Sequence, residues 1–102
     1  MKQRCILLFV NPYRIEDEKT GEVLSGLSVT YLGTDDLSPA EDGAKKGIPT
    51  LKQTFPLELQ DSLQAVPGYY DIEFGLRPVG GKPTVVPIGL HFVAPVELKE
   101  VK

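Results

Sequence analysis

Glycine and proline interrupt this chain so often that short strands are favoured over long helices. Ten glycines and nine prolines are spread over 102 residues, and they separate short runs of apolar or alternating apolar and polar residues. Alternation with a period of two is typical of strands, and Gly and Pro between such runs are typical of turns. The chain therefore predicts a single all-β domain over residues 1–102.

Five runs carry the strand pattern, at residues 5–10, 23–32, 50–57, 69–76 and 85–94. The prolines around the third run favour an edge position, because proline donates no ladder hydrogen bond. One short helix is predicted between the third and fourth strands, at Leu59–Val66, with apolar residues along one side. Five strands with a helix in this place are the order expected of a Greek-key barrel of the oligonucleotide/oligosaccharide-binding (OB) type.

The alternation also predicts which side chains face the core. Gly26 interrupts the second run, which predicts a bulge or a tight bend there. Two hairpin turns are expected, at Lys19–Gly21 and within Arg77–Pro83, and residues 33–47 are expected to form an exposed loop without regular structure. The predicted core-facing residues are Phe9, Leu27, Val29, Tyr70, Ile72, Phe74, Leu76, Val86, Ile88, Leu90 and Phe92.

Enzymatic chemistry has little support in this composition. The single cysteine, Cys5, excludes an internal disulfide and a cysteine-based zinc site, and the single histidine, His91, lies in a strand pattern. The acidic run Glu16–Glu18 lies in a predicted hairpin, where successive side chains point to opposite faces and do not converge on a metal. We therefore expect no enzyme activity, no metal and no cofactor.

No run of apolar residues approaches the length of a membrane span. The longest one near the N-terminus is Cys5–Val10, and no small-residue cleavage site follows it. We expect a cytoplasmic protein without a membrane partner.

Charge is unevenly distributed along the chain. The net charge is −3, but residues 14–42 hold eight acidic residues against Arg14 and Lys19, whereas residues 43–57 hold Lys45, Lys46 and Lys52 and no acid. Attraction to phosphate depends on the local field, so an acidic total does not exclude a nucleic-acid partner. Ordinary patterning for solubility is the alternative explanation of these segments.

Aromatic residues supply the second requirement for binding single strands, because bases stack on exposed rings along a positive track. Tyr13 follows Pro12 at the end of the first strand and precedes Arg14, so its ring is a candidate for solvent exposure. Tyr69 projects from the face opposite the core in the fourth strand. Tyr31 is ambiguous, because its face also carries Leu27 and Val29.

The segment PGYYDIEFGLRPVGGKPTVVPIGLHFVAPVEL, Pro67–Leu98, has a recognisable order of features. Pro-Gly precedes an aromatic alternating strand, then come a glycine-containing hairpin and an apolar strand ending in Val-x-Pro. This order resembles the C-terminal half of the filamentous-phage gene V single-stranded-DNA-binding proteins, which are small dimeric OB-like barrels. Tyr31-Leu32-Gly33 is similar to a tyrosine-containing strand end in that family.

The resemblance implies roles for individual residues. Tyr31 would stack a base, Arg14 and Lys19 would meet phosphates, and Lys52 would line the groove. The Arg77–Pro83 hairpin, with Arg77, Val79 and Lys82, would correspond to the loop at which two protomers meet. This chain departs from the family in the four carboxylates of its first hairpin and in a second hairpin tip without an aromatic residue.

Together these patterns predict a sequence-nonspecific single-stranded-DNA-binding protein of a phage or mobile element, acting as a homodimer, with a replication protein as a possible further partner. The alternative is an acidic OB-like protein-interaction module or an inhibitor of a host protein, in which the carboxylate-rich hairpin is the recognition surface. The predicted nucleic-acid contacts are Tyr13, Arg14, Lys19, Tyr31, Lys45, Lys46, Lys52 and Tyr69.

Overall fold

The computed structural model describes residues 1–35 and 40–99. Its main body is an antiparallel five-stranded sheet in the order β5-β2-β1-β6-β7, and β3 and β4 form a separate two-stranded ribbon. A 3₁₀ helix, Leu57–Ser62, joins β5 to β6. The strands are β1 (Lys2–Glu16), β2 (Val23–Gly33), β3 (Ala40–Asp42), β4 (Lys45–Gly47), β5 (Leu51–Phe55), β6 (Gly68–Val79) and β7 (Lys82–Pro95).

The all-β prediction is confirmed, but the strands formed by residues 1–35 and 40–99 show neither a closed barrel nor a Greek-key path. β5 and β7 are the two edges of the sheet, and the edge position of β5 is the one expected for the third predicted strand. The sheet is nevertheless curled, because one cleft is lined by Thr54 and Phe55 of β5 together with Val86 and Pro87 of β7. A curled sheet has an inner side that can be filled by side chains and an outer side that faces water.

The inner side of the sheet holds the hydrophobic core. The predicted alternation of β2 is confirmed, and so are the inward positions of Tyr70 and Ile72 on β6. Tyr31 packs edge-on against Phe55, with ring centroids 5.9 Å apart, and Tyr70 packs edge-on against Phe92 at 5.3 Å. The buried residues are Cys5, Leu7, Leu27, Val29, Tyr31, Phe55, Leu59, Tyr70, Ile72 and Leu90.

A short helical segment lies between the third and fourth predicted strands, as expected, but it is a 3₁₀ helix at Leu57–Ser62 rather than a helix at Leu59–Val66. A single 3₁₀ segment ends at Ser62, and Leu63 is already extended. The tyrosine of the core explains why the helix does not continue: the Tyr70 hydroxyl accepts a hydrogen bond from Gln64 N at 2.9 Å and donates one to Ala65 O at 2.9 Å. These backbone groups are satisfied by a side chain rather than by a next helical turn.

A β-bulge in β1 overturns the predicted burial of Phe9. Leu7 pairs with Tyr31 but Phe9 pairs with Thr30, so Leu8 is an extra residue in β1. An extra residue inverts every later side chain relative to the pleat, because the side-chain period is two. Phe9 is therefore on the outer side and 61% exposed. The bulge predicted at Gly26 is not observed, since Gly26 pairs regularly with Tyr13.

A second β-bulge, in β7, overturns the predicted inward position of Ile88. The pairing moves from Glu73–Gly89 to Phe74–Pro87, which leaves Ile88 as the extra residue. Ile88 is exposed and Pro87 takes the buried position, whereas Leu90 is buried as predicted.

Both predicted hairpin turns are confirmed. In the first, Gly21 has a φ of 71°, the Asp17 carbonyl accepts a hydrogen bond from Gly21 N at 2.8 Å, and the Asp17 carboxylate accepts one from Lys19 N at 2.8 Å. This carboxylate therefore has a role in shaping the turn. In the second, Gly80 and Gly81 have φ values of 59° and 80°, as the tight turns that match strand twist require.

The second hairpin extends past the end of β1, which overturns another predicted core position. β6 pairs with β1 only up to Glu73, so in the described part of the chain no strand lies beside the rest of the β6–β7 hairpin on that edge. Leu76, predicted to face the core, is 72% exposed as a result.

The predicted irregular loop at residues 33–47 contains the β3–β4 ribbon, in which Ala40 pairs with Gly47. Gly43 turns the ribbon with a φ of 60°. Residues 36–39 of this predicted loop lie outside the described part of the chain.

Candidate nucleic-acid interface

The outer face of the sheet, on β1, β2 and β5, brings together residues that are far apart in the sequence. Directly paired residues of neighbouring strands lie on the same side of a sheet. Phe9 pairs with Thr30, which pairs with Lys52, and the next row joins Asn11, Ser28 and Thr54. We define this outer face by Phe9, Asn11, Tyr13, Gly26, Ser28, Thr30, Lys52 and Thr54.

Phe9 is the aromatic residue of this face that the sequence analysis missed. Its ring is 61% exposed, and it lies in the same row as the Thr30 hydroxyl and the Lys52 side chain. The run CILLFV is apolar at every position, so its composition carries no signal of where a bulge inverts the pattern. A single exposed apolar residue is common on protein surfaces, so Phe9 is informative only together with Tyr13 and Lys52 on the same face.

Tyr13 is held across the neighbouring strand by the glycine opposite it. A Cβ atom at Gly26 would lie 3.0 Å from the Tyr13 hydroxyl oxygen and 3.2 Å from Cζ. The end of the ring therefore occupies the space above Gly26, with the Thr54 methyl group also 3.0 Å from that Cβ position. The ring is half-buried, so the sheet fixes it in place while part of it remains accessible. This contact explains why a glycine is present inside β2.

Lys52 and Tyr69 complete the group of predicted residues that share the outer side. Lys52 is exposed on the edge strand β5. Tyr69 is half-buried and pairs with Ile6 of β1, so it lies on the same side of the sheet but toward β6. Phe9 and Tyr13 are four residues apart on one strand, a separation of about 13 Å at the usual rise of about 3.3 Å per residue.

The Arg4–Asp71 ion pair and a contact between Glu73 and His91 occupy the end of the outer side beyond Tyr69. The Arg4 guanidinium donates to both carboxylate oxygens of Asp71, at 2.9 and 3.2 Å, and the Glu73 carboxylate lies 3.7 Å from His91 Nε2. The hydrogen bonds from Arg4 hold the pKa of Asp71 below its usual value. Since Arg4 is already paired with a carboxylate, this end of the sheet is less suited to phosphate than the end around Lys52.

Tyr31 is not on this outer face. Its ring is 6% exposed on the inner side, and its hydroxyl donates to Gln53 Oε1 at 2.9 Å. Burial raises the pKa of this hydroxyl. The structure thus places Tyr31 in the core, where a ring has no free face for a base.

The other predicted contact residues are distributed over separate parts of the molecule. Arg14 is exposed beside Ser25, on the opposite side of the β1–β2 hairpin from Tyr13, and Lys19 is exposed in the turn at its tip. Lys45 and Lys46 lie in β4, outside the five-stranded sheet. Of the predicted set, only Tyr13, Lys52 and Tyr69 share the outer side of the main sheet.

The predicted dimer contacts lie together at the end of the β6–β7 hairpin. Arg77, Val79 and Lys82 are all exposed there, and Val79 pairs with Lys82 across the turn. Two further apolar residues of the same hairpin, Leu76 and Val85, are exposed beside them.

Among the residues 1–35 and 40–99, no group of three His, Cys, Asp or Glu side chains is arranged to hold a metal ion. Cys5 is buried, and burial raises its pKa to about 11, so its thiol stays protonated near neutral pH. Within the same residues no helix has the length and apolar character needed to cross a bilayer.

No protein-family model, curated protein or solved structure matches this chain. The geometry of its own residues is therefore the basis for a functional proposal.

Proposed function

We propose that this protein binds single-stranded DNA with little sequence preference, without enzymatic activity, as a homodimer serving a phage or another mobile element. One observation carries the proposal: two aromatic rings, Phe9 and Tyr13, are presented on the same exposed sheet face as Lys52. A stacking ring beside a cation is the combination with which proteins hold single strands regardless of sequence.

In the proposed mechanism, aromatic rings stack bases and a positively charged side chain binds phosphate. A base stacked on Phe9 or Tyr13 contributes about 1–3 kcal/mol of binding free energy. Lys52 replaces a counterion at a phosphate, and the hydroxyl groups of Ser28 and Thr30 between the rings and the lysine are donors for phosphate or sugar oxygens. Arg14, on the opposite side of the β1–β2 hairpin from Tyr13, and Lys19, at the hairpin tip, are not part of this proposed interface.

An anisotropy titration with a labelled oligonucleotide tests the proposal. We expect binding at micromolar protein and low salt, and a loss of about 5- to 150-fold in affinity for Phe9→Ala or Tyr13→Ala, the range that corresponds to one stacked base. Val93→Ala, a truncation of an exposed apolar residue on β7, is the matched control and should leave affinity unchanged. An absence of binding at low salt would contradict the proposal.

Salt dependence separates the charge contribution from the stacking contribution. The slope of log affinity against log salt falls in magnitude by about one when one phosphate contact is lost. Lys52→Ala should reduce the slope in this way, whereas Phe9→Ala should lower affinity with the slope retained. A slope unchanged by Lys52→Ala would remove Lys52 from the interface.

The dimer is proposed to form at the β6–β7 hairpin. Leu76 and Val79 are 72% and 55% exposed, and within residues 1–35 and 40–99 the pairing of β6 with β1 ends at Glu73, with Met1 beside Phe74 as the last contact. A projecting hairpin with exposed apolar residues can be covered by the same surface of a second copy around a twofold axis. Leu76→Glu should then convert a dimeric sedimentation profile to that of a monomer, and a wild-type monomer at high concentration would contradict the proposed interface.

A second candidate function has one specific observation in its favour. Ile15 and Leu24 pair on the β1–β2 hairpin and are 58% and 60% exposed, next to Glu16 and Val23. An apolar pair beside carboxylates suits a basic protein partner. Charge reversal at Glu16 and Glu18, which keeps the Asp17 carboxylate that shapes the turn, distinguishes the two functions: oligonucleotide affinity should rise or stay level if the protein binds DNA, whereas binding to such a partner should be lost.

A further inference from the structure

A groove lies beside Phe9, along the edge of β1. β1 pairs with β6 only as far as Leu7, opposite Gly68, so among residues 1–35 and 40–99 no strand lies beside this edge of β1 after the bulge at Leu8. The segment that follows the 3₁₀ helix runs next to the free edge instead. We call the space between them the β1-edge groove, and its volume is about 450 Å³.

The walls of this groove combine apolar surface with two amide groups. Leu8, Val10 and Pro12 form one side, and Leu63 and Val66 form the other. Phe9 lines the groove as well as the outer face, so the two are continuous. Gln60 and Gln64 also line the groove, and both are exposed. Each amide carries both donors and an acceptor.

A strand from another protein is a poor occupant for this groove. Pro12 has no N–H to offer to a ladder, and the segment at Leu63–Val66 already covers part of the β1 edge. The volume falls within the range of about 300–1,000 Å³ typical of small-molecule pockets. A flat, largely apolar group with a polar edge fits these walls.

We propose that the β1-edge groove holds one unstacked nucleobase of the bound strand, with the Gln60 and Gln64 amides hydrogen-bonded to its edge. This inference rests on the proposed single-stranded-DNA binding, to which it adds a preference at one nucleotide position. The strand would cross Phe9 with its neighbouring bases stacked and insert one base beside the ring. Side-chain amides discriminate bases because each base edge has its own order of donors and acceptors.

Titrations with dT, dC and dA homo-oligonucleotides of equal length test the inference, because all three carry the same number of phosphates. The wild-type protein should bind the best of them about five- to tenfold more tightly than the worst, the effect of one or two neutral hydrogen bonds. In Gln60→Ala/Gln64→Ala the affinities should converge to within about twofold, with the affinity for the worst oligonucleotide unchanged. Both glutamines are exposed, so the variant should fold, as its melting temperature will show.

The titrations distinguish failure of the base site from failure of single-stranded-DNA binding. Equal affinities for all three oligonucleotides, or a preference retained in the double variant, would overturn the base site while leaving single-strand binding intact. No binding to any of them at low salt would overturn both. Ser62→Ala, on the same segment but outside the groove lining, is the control and should keep the wild-type preference.

Discussion

The two sides of the five-stranded sheet use aromatic residues in opposite ways. On the inner side Phe55 and Tyr70 are fully buried, and the Tyr70 hydroxyl is hydrogen-bonded to two backbone groups. On the outer side Phe9 is exposed, and Tyr13 lies over Gly26 with part of its ring accessible. β6 provides Tyr70 to the inner side and Tyr69 to the outer side, so residue type alone does not decide which ring is structural.

The difference follows from the position of one extra residue. Without the bulge at Leu8, Phe9 would follow Cys5 and Leu7 to the inner side. With it, β1 supplies Cys5 and Leu7 to the core and then Phe9 and Tyr13 to the outer face. A β-bulge next to a functional surface is a common means of redirecting side chains. We therefore expect substitutions on the inner side to lower the free energy of unfolding and substitutions on the outer face to lower DNA affinity.

The strongest test of this separation is a pair of phenylalanine truncations. Phe55→Ala should lower the free energy of unfolding by about 3–5 kcal/mol, because it leaves a cavity in the core. Phe9→Ala should change it by no more than about 0.5 kcal/mol, since its ring is already in water. Urea denaturation followed by circular dichroism measures both, and comparable losses for the two variants would show that Phe9 is a core residue.

Alanine substitutions at Gly68 and Gly26 should differ in their effect on the free energy of unfolding. A Cβ at Gly68 would lie 2.5 Å from the Ala65 carbonyl oxygen, which is backbone, whereas at Gly26 the nearest atoms belong to the side chains of Tyr13 and Thr54. We expect Gly68→Ala to lower the free energy of unfolding by about 1–3 kcal/mol. Gly26→Ala should cost less than about 1 kcal/mol, because the end of the tyrosine ring can move aside.

The same glycine pair also separates the effects on binding. Displacing the ring in Gly26→Ala should weaken oligonucleotide binding at protein concentrations where the variant is fully folded. Gly68→Ala should retain wild-type affinity for as long as the protein remains folded. If Gly26→Ala bound DNA as tightly as the wild type, the position of Tyr13 over the strand would have no role in the interface.

Much of the fold was predictable because its signals are local. Period-two alternation predicted the buried face of β2, and paired glycines predicted the turn of the β6–β7 hairpin. The register shifts were not predictable, because every residue of CILLFV is apolar and Leu8 bulges only in relation to its partner strand. Closure of the barrel depends likewise on contacts between the distant edges β5 and β7, which no local pattern contains.

The candidate site was predictable only in part, for the same reason. Lys52 and Tyr13 were recognised from their chemistry and their neighbours in the sequence. Phe9 was assigned to the core, and the resemblance to a family assigned a stacking role to Tyr31, whose ring the structure places in the core. The groove beside Phe9 is built from two segments about 50 residues apart, Leu8–Pro12 and Gln60–Val66, so it exists only in the folded chain.

The smallest expected effect concerns the polar end of the outer side, where Arg4 holds Asp71. Its hydrogen bonds lower the pKa of Asp71 below the ordinary value near 3.8, so the folded state binds this proton less readily than the unfolded state. The stabilisation is therefore present above about pH 4 and is lost as pH falls through the lowered pKa.

Melting temperatures of the wild type and Asp71→Asn should differ near neutral pH and converge in acid. Asp61→Asn removes the same charge from the exposed 3₁₀ helix, away from Arg4, and should not show this convergence. Because the pair is solvent-accessible, the difference should also shrink in high salt, and a difference that persists in acid would show that the Arg4–Asp71 pair is not its source.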